Sequence, residues 1–70
     1  MKIIFTQHAE FRIKKRKILK EEVIDAIKSP DKVLKKHSMY YYQKKLYRGT
    51  IEVVVEKTEN NLNVVTIYWL

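Results

Sequence analysis

Apolar and polar residues change rhythm once along this chain, at Pro30. Before it the spacing is helical. Ala9 and Ile13 lie four apart, and Thr6 is placed to cap a helix over residues 7–16 with Glu10 near its first turn. A second helix fits LKEEVIDAIKSP: Leu19, Val23, Ala26 and Ile27 share one face, and Ser29-Pro30 ends it. The MKIIF ahead of both can open the fold as a short strand.

After Pro30 the period becomes two. KVLKKH reads as a weak strand carrying His37, and SMYYYQKKLY as a strong one by its tyrosines. Arg48-Gly49 predicts a tight turn into TIEVVVEK, where Ile51, Val53 and Val55 alternate with Glu52 and Glu56. TENN turns the chain again into LNVVTIYWL, with Val65, Ile67 and Trp69 on one face and Val64, Thr66 and Tyr68 on the other. Helices grouped before strands predict an α+β layer. The expected fold has one or two N-terminal helices on one face of a three- to four-stranded antiparallel sheet. Ile51, Val53, Val55, Val65, Ile67 and Trp69 face the helices, and residues 1–70 form a single domain.

Size sharpens this reading: a chain of 70 residues buries only about 60% of its unfolded surface, so the core is thin. With no cysteine, neither disulfides nor thiolate metal sites reinforce it, which is compatible with a reducing cytosol. Nothing resembles a signal peptide or a membrane span, so the expected location is cytoplasmic.

Charge changes the picture more. Fifteen Lys and Arg stand against eight Asp and Glu, a net of +7, and the cations are segregated. Arg12, Lys14, Lys15, Arg16, Lys17 and Lys20 crowd one segment. Lys32, Lys35, Lys36, Lys44, Lys45 and Arg48 fill another that contains no acid. Such segregation reads as an anion-facing surface, most often for nucleic acid; solubility charge is the plainer alternative.

At 100° per residue, His8, Arg12 and Arg16 fall within about an 80° arc beside Ala9 and Ile13, at the border of the apolar stripe. They would project near the helix–sheet seam, whereas Lys14 and Lys17 face solvent. In the second basic segment Tyr40, Tyr41, Tyr42 and Tyr47 stand among lysines, a composition suited to stacking bases and holding phosphates. Tyr42 and Lys44 share a face, and Lys15, Lys45 and Arg48 are further candidates for nucleic-acid contact. The histidines are far apart and the acids scattered, so no metal-ligand spacing is evident, and one glycine cannot build a phosphate loop. No metal or other cofactor is expected.

FTQHAEFRIKKRKILKEEVIDAIKSPDKV, the Tyr-rich strand, IEVVVE and VVTIYWL together resemble a family of short, uncharacterised bacterial and archaeal proteins. Its signature is His-Ala with one Arg four residues on and a second Arg before an isoleucine. The resemblance covers nearly the whole chain and departs from the family at Lys17, where glycine is common. It implies a RelE-like fold, in the group of barnase, EndoU and colicin ribonucleases that includes many toxin–antitoxin enzymes. It also implies that His8, Arg12, Arg16, Thr66 and Tyr68 are the characteristic polar residues. RNA, ribosome-bound mRNA among its forms, would be the substrate and an antitoxin the protein partner.

A metal-free ribonuclease of this kind uses the substrate's 2′-hydroxyl to attack phosphate. His8 is then the acid or base, Arg12 and Arg16 grip phosphate oxygens, and Tyr68 or Lys44 supplies the second proton-transfer group, with Thr66 beside them. Two other readings stand beside it: a non-catalytic nucleic-acid-binding module on the same fold, and an interaction domain whose charge only keeps it soluble.

Overall fold

The computed structural model describes residues 1–70. In chain order the elements are β1 (Lys2–Phe5), α1 (Gln7–Lys15), α2 (Lys20–Lys28), β2 (Lys32–Lys36), β3 (Met39–Leu46), β4 (Gly49–Lys57) and β5 (Asn61–Trp69). They make one sheet in the order β1-β5-β4-β3-β2, with both helices packed on one face. This is the expected α+β layer, with one correction: the sheet has five strands rather than three or four, and it is mixed. β1 pairs in parallel with β5, from Lys2 opposite Asn61 to Phe5 opposite Val64. The other pairs are antiparallel.

Thr6 performs two tasks at the start of α1. Its side chain accepts a hydrogen bond from the Ala9 amide at 3.1 Å, capping the helix. Its hydroxyl also donates to the Val64 carbonyl at 2.8 Å, tying the helix start to β5. α1 ends in a Schellman arrangement: Ile18 N–H donates to Ile13 O at 3.0 Å and Lys17 N–H to Lys14 O at 3.3 Å. Lys17 takes φ of 55°, the left-handed conformation that favours glycine and costs other residues roughly 1–2 kcal/mol. Ile13 and Ile18, brought together by that turn, both enter the core.

The core lies between the helices and the sheet. Ala9, Ile13, Ile18, Val23, Ala26 and Ile27 meet Ile51, Val53, Val55, Val64 and Ile67. One expected core position is corrected. Val54 pairs with Thr66 but Val55 pairs with Val64, so Val65 is the extra residue of a β-bulge. Strict alternation assigns Val65 to the core; the bulge resets the phase and Val64 is fully buried in its place. His37 is also relocated: it lies in the two-residue turn between β2 and β3 with φ of 59°, outside either strand.

The opposite face of the sheet carries no helix. Facing residues there form cross-strand rows, Gln43–Glu52–Tyr68 and Tyr41–Val54–Thr66 among them. Tyr40, Tyr42 and Lys44 belong to the helix-covered face instead, since they stand opposite Val55, Val53 and Ile51.

Candidate functional site

β1 covers β5 only as far as Val64, and beyond that point α1 runs along the edge. The helix is fixed to strand-edge carbonyls at both ends. Thr6 holds it at Val64, and Arg16 donates from Nη1 to Ile67 O at 3.1 Å. Trp69 returns the contact, its indole N–H donating to Arg16 O at 3.2 Å. Between these fixings lie His8 and Arg12. Arg12 Nε donates to His8 Nε2 at 3.3 Å, so that nitrogen accepts in this contact. His8 is exposed and Arg12 half-buried.

Phe11, beside this pair, escaped the sequence reading. The residue is 59% exposed, with the Arg12 guanidinium 5.9 Å and the Lys15 ammonium 5.8 Å from its ring centroid. An aromatic flanked by cations at i+1 and i+4 on the polar side of a helix was the available signal. Lys15 is exposed and joins this group.

Three other predicted residues have structural partners. Arg16 closes the α1–β5 junction. Arg48 donates from Nη1 to Lys17 O at 2.8 Å and pairs with Glu22 at 2.6 Å, while its guanidinium lies 5.4 Å from the Trp69 ring centroid. Its hydrogen bond holds the Glu22 carboxyl below the usual value; partial burial opposes that shift and the Leu19 amide adds to it. Lys44 donates to Ser29 O at 2.7 Å and lies 3.8 Å from Asp25, holding the end of α2 against the sheet. Tyr42 does share its face, as alternation predicts, but packs against the core, and burial raises its phenol pKa.

Tyr68 and Thr66 face the other way. Tyr68 donates its hydroxyl proton to Glu52, whose second oxygen accepts from Gln43 Nε2 at 2.8 Å. Glu52 is 8% exposed, the one buried charged residue. The Glu52 bond first, then burial, pushes the Tyr68 phenol up to about 12, so it stays protonated near neutrality and its proton is already engaged. The structure therefore does not bring Tyr68 and Lys44 to His8: one lies on the far face of the sheet and the other beneath α2. Lys45 is exposed, with its backbone amide held by Asp31 Oδ2 at 2.7 Å. No three His, Cys, Asp or Glu residues cluster in a way that would hold a metal ion.

The α1 group is thus smaller than the expected site and differently composed: His8, Arg12, Phe11 and Lys15 remain available to a ligand. Among known proteins, a family model described as Domain of unknown function (DUF4258) matches residues 5–69. No curated protein and no solved structure matches the chain.

Proposed function

The chain belongs to this family of unknown function, and from that premise we propose that it is a metal-independent ribonuclease of RelE-like toxin type, working on RNA in the cytoplasm under restraint by an antitoxin. The observation that carries the reading is the contact between Arg12 Nε and His8 Nε2. It sets an accepting imidazole nitrogen, whose lone pair is released once phosphate draws the guanidinium away, beside a group able to grip phosphate oxygens bidentately. His8 takes the 2′-hydroxyl proton as the oxygen attacks phosphorus. Arg12 meets the charge that develops on the non-bridging oxygens, and Lys15 adds to the field. The 5′-oxygen leaves with a proton from water, giving a 2′,3′-cyclic phosphate. Phe11 offers a face on which a base can stack. A positioned general acid contributes typically about 10²–10⁴-fold; since no such group stands near His8, free enzyme should turn over slowly. Docking on ribosome-bound mRNA would supply the missing positioning.

One observation favours a second reading, RNA binding without cleavage: Tyr68 and Lys44, the expected proton donors, are engaged elsewhere. Labelled single-stranded RNA in EDTA, with and without ribosomes, separates the two. Cyclic-phosphate ends made by wild type and lost in His8→Ala support the ribonuclease. RNA left intact by wild type in every condition, yet bound equally well by His8→Ala, assigns binding alone.

A further inference from the structure

At the sheet corner formed by the β2–β3 turn, five residues line a shallow cavity: Lys35, His37, Ser38, Tyr40 and Lys57. None belongs to the α1 group. Tyr40 is its floor. Tyr42 backs that ring at 6.2 Å between centroids and 18° between planes. Because Tyr42 lies two residues further from the turn, the cavity meets Tyr40 on the turn side. The Lys35 ammonium is 5.6 Å and that of Lys57 5.7 Å from the ring centroid, one from each neighbouring strand. The ion pairs of this protein engage Lys20, Lys44 and Arg48, leaving both of these lysines without a carboxylate. His37, held in the left-handed region by the turn, stands at the rim.

We propose that this corner is a second nucleotide subsite, which stacks one base of a single-stranded RNA on Tyr40 and holds the flanking phosphates between Lys35, Lys57 and His37. The ring is supported from behind and lies among unpaired cations, the combination that grips single strands without reading their sequence. A duplex hides its base faces and cannot use the ring. The molecule is 33 Å in its longest dimension, so one strand can meet both this corner and α1. The subsite rests on the reading of RNA as the ligand, and it adds a place where the strand is held away from the reacting phosphate.

The test is an amide-shift titration of the whole protein with a short single-stranded RNA carrying 2′-O-methyl groups, which cannot be cleaved by 2′-hydroxyl attack. Shifts are expected at His37–Tyr40 and Lys57 as well as along α1. The double variant Lys35→Gln/Lys57→Gln removes two lysines from positions that make no ion pair. It should bind about 10-fold more weakly, with a log–log salt slope shallower by about 1.4, as two single-strand phosphate contacts require. Shifts confined to α1, with affinity unchanged in the double variant, overturn the subsite and leave the proposed function standing. No shift anywhere overturns the subsite, and overturns the proposed function too when ribosomes restore no cleavage. A duplex that perturbs Tyr40 as strongly as the single strand overturns the stacking.

Discussion

Arg12 and Arg16 stand one helical turn apart on the same helix, with the same side chain and unlike tasks. Arg16 faces a strand edge whose carbonyl at Ile67 has no neighbouring strand, and its guanidinium takes that place. Arg12, a turn earlier, meets only His8 and the Phe11 ring. The lesson is that a cation's role follows from what its element leaves unsatisfied. An orphan carbonyl turns an arginine into a strut, and its absence leaves one free for a ligand. The same division separates Arg48 and Lys44, which hold backbone oxygens, from Lys15, Lys35 and Lys57, which do not.

The contrast can be broken by substitution. The largest effect is expected from Arg12→Ala in the cleavage assay: a loss of about 10²–10³-fold, the scale for removing one donor to a developing oxyanion, with the melting temperature unchanged. Equal loss of cleavage and melting temperature would sink the distinction. Arg16→Ala should do the reverse, lowering stability by about 2 kcal/mol through the lost charged hydrogen bond. In a domain of this size that corresponds to a fall in melting temperature of roughly 8–16 °C, measurable by calorimetry.

The Arg48–Glu22 strut gives a smaller effect with a defined pH sense. Glu22 titrates lower in the folded protein than its ordinary 4.5, so its contribution is fully present above that value. It is lost as pH falls through the lower, folded value. Denaturant melts at stepped pH should show wild-type stability falling more steeply below pH 4.5 than that of Glu22→Gln, while parallel curves would remove the strut from the account. Smallest, and of opposite sign, is Lys17→Gly. Relief of the left-handed turn should raise stability by about 0.5–1 kcal/mol in urea titrations, net of the entropy glycine loses.

Much of the fold was legible locally. Thr6 as a cap, the stop at Ser29-Pro30 and the alternation of Ile51, Val53 and Val55 each need only a few neighbouring residues to read. The parallel placement of β1 was not legible, because a short apolar run names no partner at the other end of the chain. Nor was the bulge at Val65, which shifts one residue without any glycine to mark it. For the candidate site, His8 and Arg12 could be read from helical spacing alone. Arg16, Arg48 and Lys44 could not be told from them, since each task is set by a carbonyl from 15 to 51 residues away in sequence. Glu52 showed only as an outward-facing acid; its burial comes from the register that seats it between Gln43 and Tyr68.

The pairing of β1 with β5 also orders events in time. β2, β3 and β4 can find one another across two-residue turns, and β5 follows through a short one, while Lys2 must meet Asn61 across nearly the whole sequence. Closing that loop costs more entropy than any hairpin, so the first strand should dock late, with Ile3 and Phe5 showing φ-values near zero. Values near one for those residues would reverse the order. During synthesis β5 is made after α1, and α1 has no edge to rest on until that strand arrives. His8 and Arg12 precede β5 in the chain yet, on this order, are put in place only after it: the candidate site waits on the strand that forms its edge.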